Sequence, residues 1–120
     1  MARVSSILIY PDREQPGQTL ETSYVSREGL DGDRRKKSPV HLVAVENYID
    51  FHPRANLIVD IAGTALDELV GRRLRIGSVE LDVTRLAGDC PGVYADVPVP
   101  GDVSVGDEVL VGVISEEQSG

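Results

Sequence analysis

Apolar residues in this chain fall into short runs separated by polar, glycine- or proline-bearing stretches. Most runs are roughly four to eight residues long and rich in Val and Ile, which predicts strands rather than helices. Residues 4–10 predict a first strand, stopped by Pro11 and a polar loop that reaches Gln18. Residues 19–25 alternate in part and predict a second strand, and residues 29–38 predict a loop rich in glycine and charge. Pro39-Val40-His41-Leu42-Val43-Ala44-Val45 is a continuous apolar run that predicts a buried strand. Residues 46–51 fit one helical turn ended before Pro53, and residues 56–61 fit a further strand. Residues 64–70 are short and helix-compatible, with Leu66, Leu69 and Val70 on one side. Arg72–Ile76, Val79–Leu86 and Val109–Ile114 predict three more strands. Gly77-Ser78 sets a tight hairpin between the first two, because two-residue turns often need Gly at positive φ. Val105-Gly106-Asp107-Glu108 turns the chain into the last strand, and residues 116–120 predict a flexible tail.

Many short strands, closely spaced turn signals and little helix predict a mostly β fold. The expected architecture is a small antiparallel or mixed β-barrel, closed or partly open, with one or two short helices. Residues 1–115 read as a single domain, since a chain of 120 residues supports one core. With one Phe, four Tyr and no Trp, that core must be built from Val, Leu, Ile and Ala. The apolar run at residues 7–10 is too short for an export signal, and no run is long enough to span a membrane. Together with a single cysteine, this leads to the expectation of a cytoplasmic protein that engages no membrane.

Charge narrows the partners. A net charge of −8 argues against nucleic acid as a ligand, because phosphates would be repelled. The charge is uneven: residues 1–60 hold 9 acids and 8 bases, residues 61–120 hold 11 acids and 4 bases. An anionic ligand therefore belongs to the first half, where Arg34-Arg35-Lys36-Lys37 is the densest basic run. In Gly29-Leu30-Asp31-Gly32-Asp33-Arg34 two glycines permit a sharp turn, Asp33 can tie the loop, and Arg34 offers a planar fork of donors. Such a fork suits phosphate or carboxylate, although a solvated surface arginine explains the same residues. Arg54-Ala55-Asn56 opens a strand with a charge and an amide.

Cys90 is the one cysteine, placed in Leu86-Ala87-Gly88-Asp89-Cys90-Pro91-Gly92 after a predicted strand. It has no internal disulfide partner, and only its thiolate would react or bind metal. A small buried hydrophobe is the alternative. His41, inside an apolar strand, and His52, before Pro53, lack metal-site spacing.

Taken in order, these segments resemble the MOSC domain, named for the C-terminal domain of molybdenum cofactor sulfurase. Ile9-Tyr10-Pro11 through Gly17 is similar to the family's opening "YP-x-K-S" segment. The turn from Gly29 to Arg34 resembles "GL-x-GDR", and Ser38-Pro39-Val40-His41-Leu42 resembles "SP-x-x-L". Arg54-Ala55-Asn56-Leu57-Ile58-Val59 resembles "RPN-I/L-V", and the stretches from Leu74 to Gly77 and Val79 to Thr84 fit the family's hairpin. Cys90 falls at the family's cysteine, and Val105-Gly106-Asp107 at its closing "VGD". Arg13 stands where the family has Lys, Glu14 where it has Ser, Ala55 where it has Pro, and Asp89 precedes the thiol. The long segment between the "GDR" turn and the "SP" strand of two-part members is also lacking, which predicts a truncated cofactor site.

The resemblance implies a barrel-like fold and one of two activities. In the first, Cys90 carries sulfur as a persulfide, a sulfurtransferase-type activity. A cysteine desulfurase-type donor would load it, and a metal–sulfur acceptor enzyme would receive the sulfur. In the second, the barrel binds a molybdopterin-type molybdenum cofactor. By resemblance Arg13, Arg34, Lys37, Ser38, Arg54 and Asn56 would hold the pterin and its phosphate, with the Cys90 thiolate a ligand to molybdenum. A non-catalytic interaction barrel is the remaining reading, and a homodimer would close an open barrel end.

Overall fold

Alternation builds most of the sheet: along β8 (Val79–Leu86), Val79, Leu81 and Val83 are buried while Glu80 and Asp82 are half-exposed between them. That two-residue period turns one strand face to the core and the other to solvent. The computed structural model describes residues 2–12, 16–33, 39–48, 55–61, 66–87 and 92–114. Within them run β1 (Arg3–Ile9), β2 (Gln18–Leu20), β3 (Thr22–Ser26), β4 (Gly29–Leu30), β5 (Val40–Ala44) and β6 (Leu57–Asp60). After β6 come β7 (Arg72–Ile76), β8, β9 (Val93–Val99), β10 (Gly101–Ser104) and β11 (Val109–Ile114). Two short 3-10 turns, Val45–Asn47 and Leu66–Leu69, stand where the sequence predicts helical segments. The predicted tail at residues 116–120 lies outside the described residues.

Eight strands form a mixed sheet in the order β11-β7-β8-β9-β5-β6-β1-β2, and β10-β3-β4 form a second, smaller sheet. All pairings are antiparallel except β5 with β6, where Leu42 lies beside Leu57 and Ala44 beside Val59. A parallel pair needs a crossover, and residues 45–56 supply it. The barrel is partly closed by its ends. Val4 N–H donates to Asp107 O at 2.9 Å, Gly106 N–H to Val4 O at 2.8 Å, and Val109 N–H to Ala2 O at 2.9 Å. The N-terminal half of β1 thus meets the entry to β11, while the two sheets remain unjoined.

The interior is aliphatic, as the composition requires: Ile7, Val25, Leu42, Leu57, Leu74, Ile76, Leu81, Val93 and Val103 are fully buried in one cluster. A second, smaller cluster of Val43, Ala55 and Ile58 packs with Leu8, Val45 and Tyr48. Val43 alternates with Leu42 and Ala44, so this cluster lies on the opposite face of β5.

Several boundaries differ from the sequence expectation. Residues 19–25 are not one strand, because Glu21 breaks them into β2, paired with β1, and β3, paired with β10. Gly29 and Leu30, expected in a loop, pair with β3. The strands β9 and β10 were not anticipated at all; Pro98 and Pro100 disguise them. Pro98 is tolerated in β9 because β5 accompanies that strand only as far as the Val40–Ala95 pair.

Candidate functional site

The segments singled out by their chemistry are tied together by one carboxylate. Asp33 ends the Gly29–Asp33 turn, and its Oδ1 accepts a hydrogen bond from Tyr10 N–H at 2.7 Å. Its Oδ2 accepts from Asn56 Nδ2 at 3.0 Å. Asn56 is wholly buried, and its Nδ2 also donates to Leu8 O at 3.3 Å while its Oδ1 accepts from His41 N–H at 3.1 Å. Backbone bonds run alongside: Leu8 N–H to Asn56 O at 2.8 Å and Asn56 N–H to His41 O at 2.8 Å. A buried amide satisfied by three chain segments fixes their relative positions, since each bond would cost its full desolvation if lost.

The local sequence explains the turn. Gly29 has φ +123°, a left-handed value that a side chain resists, and a Cβ there would lie 2.7 Å from Pro39 O. The "GL-x-GDR" glycine therefore packs directly on the residue that opens the "SP-x-x-L" strand. Asp33 N–H donates to Leu30 O at 3.0 Å, closing the turn and presenting the carboxylate.

Of the residues assigned by resemblance, Asn56 is the one described, and it is a buried structural node. Arg13, Arg34, Lys37, Ser38, Arg54 and Cys90 lie outside the described residues. Their sequence neighbours are placed, however. Tyr10 is three residues before Arg13, Asp33 immediately before Arg34, and Asn56 two residues after Arg54; all three meet in the Asp33 network. Pro39, directly after Ser38, packs on Gly29.

The stretch that carries Cys90 is anchored on the same strand. Ala87 N–H donates to Gly92 O at 3.1 Å, which closes the connection between β8 and β9. Gly92, at φ +99°, lies so close to Leu42 O that no Cβ could be accommodated. The Gly92 anchor is at Leu42 and the Asn56 anchor at His41, adjacent positions on β5 but on its two different sides. Tyr10, Pro39 and Asn56 lie toward the N-terminal end of β5, and the Ala87–Gly92 bond lies toward its C-terminal end.

Sequence reasoning passed over a further group beside this region. The His41 ring, buried, stacks on Tyr94 with centroids 5.0 Å apart and planes tilted by 54°. The Arg85 guanidinium carbon lies 4.6 Å from the Tyr94 ring centroid. The signal available was period-two alternation, which puts His41 and Val43 on one face of β5 and so pairs His41 with a β9 side chain.

Two other features stand apart. On the outer face of β7 and β8, Arg73 Nε donates to Asp82 Oδ1 at 2.8 Å and Nη1 to Glu80 Oε1 at 3.2 Å. The hydrogen bond to Asp82 raises the Arg73 pKa against desolvation, which lowers it, and the charges of Asp82 and Glu80 add to the rise. A cleft of 560 Å³ opens between β1, β2, β3 and β10, lined by Ser5, Ser6, Thr19, Thr22 and Ser104 together with Leu20, Glu21 and Val105. It contains none of the residues assigned by sequence. Among the described residues, no group of three or more His, Cys, Asp or Glu could hold a metal ion, and no helix is long and apolar enough to cross a membrane.

No protein-family model matches the chain. No curated protein matches it either. Solved structures do. YuaD from Bacillus subtilis superposes with a TM-score of 0.75 at 15% identity, covering 94% of this chain and 97% of that one. A hypothetical protein superposes with a TM-score of 0.76 at 14% identity, covering 99% of this chain and 74% of that one. YiiM from Geobacillus stearothermophilus gives 0.71 at 11% identity over 93% of this chain and 75% of that one. At such identities the likeness establishes a shared fold: this chain adopts the mostly β, partly open barrel of YuaD and YiiM.

Proposed function

We propose that this chain is a MOSC-type module that binds an anionic, molybdopterin-type cofactor at the end of the barrel where the Asp33 network gathers the basic segments. One observation supports the reading: the Asp33 carboxylate bonds Tyr10 and Asn56, so three described residues that lie within three positions of Arg13, Arg34 and Arg54 in the sequence meet in one network. A set of guanidinium and ammonium donors converging from separate loops suits a phosphate group, whose oxygens accept several charge-assisted bonds. In this reading Arg13, Arg34, Lys37, Ser38 and Arg54 hold the anionic end of the cofactor. Asn56 acts from beneath, because its amide is bonded to Leu8, Asp33 and His41. The bound group would supply a redox-active metal–sulfur centre; the chain's own part is to hold and orient it.

A second reading has its own support. Gly92 presses on Leu42, so the short connection that carries Cys90 is fixed to the sheet at its far side. A thiol on a braced hairpin suits sulfur carriage, with Cys90 accepting sulfur as a persulfide from a cysteine desulfurase-type donor and passing it to a metal–sulfur acceptor enzyme. A cytoplasmic setting suits both readings, because a reactive thiol persists in a reducing compartment.

Retention of the pterin tests the first reading. The protein is incubated anaerobically with released molybdopterin and gel-filtered, and the retained pterin is measured by its fluorescence after oxidation. Arg34→Ala and Arg54→Ala should each lose most of the retained pterin; retention equal to that of the unaltered protein in both variants overturns the reading. Intact mass after incubation with a desulfurase and cysteine tests the second: a thiol-reversible gain of one sulfur, absent in Cys90→Ser, is the expected result, and no gain rejects it.

A further inference from the structure

We propose that the cleft between β1, β2, β3 and β10 binds a small aliphatic ammonium compound, a function independent of the anion-binding reading above. Its place follows from a break in the pattern of β1. Val4 and Ile7 are both buried, and two residues separate them, Ser5 exposed and Ser6 half-buried, where strict alternation has room for one. The extra residue is a bulge, since the register of β1 with β6 shifts between Val4 and Ser6. Bulges bend a strand and re-aim its side chains. On the other edge of β1 the last pair with β2 is Ile7 with Leu20, and Val4 bonds instead to Gly106 and Asp107. The wall is split between those two attachments, and the cleft opens there with Ser5 and Ser6 along it.

The bonding around the split decides what the cleft can take. Val103 O is a carbonyl without a proton, so Thr22 Oγ1, at 3.0 Å, donates to it. Ser104 Oγ, 3.1 Å from Thr22 Oγ1, is then the donor of that pair. Both hydroxyl protons are spent, and both oxygens keep lone pairs. The backbone donors of the adjoining turn are spent as well. Ser104 N–H donates to Asp107 Oδ2 at 2.8 Å, Val105 N–H to Glu21 O at 2.9 Å, and Gly106 N–H to Val4 O at 2.8 Å. Glu21 adds an exposed carboxylate, which accepts only. Among the described residues that line the cleft there is no Lys, Arg or His. An anion would meet lone pairs and a like charge here. An ammonium group, with three N–H donors and no acceptor, is the complement. Leu20 and Val105 offer apolar surface to a short hydrocarbon tail, and 560 Å³ lies within the roughly 300–1,000 Å³ of small-molecule sites. The net charge of −8 draws cations to the molecule in any case, so the test must separate this cleft from the rest of the surface.

The probe is n-butylammonium, titrated into the full chain and followed residue by residue through its backbone amide NMR signals. Saturable shifts are expected at Ser5, Ser6, Thr19, Leu20, Glu21, Thr22, Ser104 and Val105. Two ligands with the same tail isolate the head group: n-butanol, which is neutral, should bind more weakly, and butyrate should not bind. Glu21→Gln keeps the shape of an exposed side chain and removes its charge, and it should weaken binding about fivefold, the size of an exposed ion pair. Ser104→Ala, which removes one of the two lone-pair donors, should weaken it severalfold. Asp67→Asn takes the same charge from an exposed position on the Leu66–Leu69 turn, outside the cleft, and should leave binding unchanged.

Butyrate or n-butanol bound as tightly as n-butylammonium overturns the proposal, because the head group then decides nothing. Shifts scattered over the acidic surface, or an equal loss of binding in Asp67→Asn, overturn it too and reduce the effect to net charge. So does unchanged binding in Glu21→Gln, and so does the absence of a saturable shift. None of these results bears on the anion-binding reading, which rests on other residues and another end of the sheet.

Discussion

Asn56 shows how much a single buried amide can hold. It has no exposed surface, and its bonds reach Leu8, Asp33 and His41. Asn56→Ala would leave His41 N–H and Leu8 O without those partners in a place water does not reach. The expected loss is about 3 kcal/mol of stability, from typical penalties of roughly 1–3 kcal/mol per unsatisfied buried group. Urea denaturation read by circular dichroism checks it, and a loss below about 1 kcal/mol would mean that relaxation re-forms the bonds. Gly92 makes the complementary case, in which the absence of a side chain matters. At φ +99° and pressed on Leu42 O, it leaves no room for a Cβ. Gly92→Ala should cost about 1–3 kcal/mol in the same assay, from strained backbone and a displaced hairpin. At this scale the sequence was partly readable. Two glycines and an Asp before Arg34 spelled a tied turn, and Asp33 does tie it. The role of Asn56 was not readable, because an amide offered to a ligand and an amide bonded to two strands and a turn look alike in sequence. His41 on Tyr94 was hidden for a related reason, as a stacking partner on another strand leaves no local mark.

Elements were legible in proportion to how well local pattern matched burial. The run around Leu42 predicts β5 because that strand is buried at every position, and the alternation of β8 predicts its limits because one face is wet. The Gly77-Ser78 turn was equally plain, with Ile76 and Val79 paired across it and Gly77 at φ +60°. The strand β9 escaped because Pro98 argues against a strand, and only the tertiary fact that β5 ends early excuses it. The parallel pairing of β5 with β6 was likewise beyond local pattern, since it depends on a crossover rather than a turn. The last strand raises a prediction of its own. Among the described residues β11 pairs with β7 on one side, and Leu110 and Val111 are 46% exposed. An edge with apolar side chains and no charge invites pairing with another chain. Leu110→Lys should leave stability within about 0.5 kcal/mol, as expected at an exposed site. It should also lower self-association at high concentration. Light scattering reads the second effect, and equal scattering by both proteins would show that this edge is already protected.

For the molecule as a whole, closure is non-local: β1 pairs with β6, and its first residues meet the entry to β11 at the far end of the chain. β1, β5, β7 and β9 each complete their pairing with a partner distant in the chain, so the sheet's stability is shared across it. The core cluster likewise draws on strands from β1 to β11, so damage at one point should be felt everywhere. Leu42 offers the sharpest test, being fully buried on the strand that joins β6 to β9 and anchors both halves of the candidate site. Leu42→Ala should cost about 2–5 kcal/mol, by lost burial and a cavity that neighbouring strands cannot collapse. The unfolding midpoint should fall while the transition stays single. Circular dichroism follows the sheet, and tyrosine fluorescence reports the four tyrosines, of which Tyr10 bonds to Asp33 and Tyr94 lies against His41. Coincident curves from the two probes are expected in both proteins. If the tyrosine signal of Leu42→Ala were lost at lower urea than the sheet signal, the end of the sheet that carries the candidate site would be a separate unit of stability. The Asp33 network would then be holding loops to a scaffold that does not depend on them. A single transition instead means that the Asp33 network shares the stability of the whole sheet, and on the proposed reading any change that loosens the core should weaken anion binding at the same time.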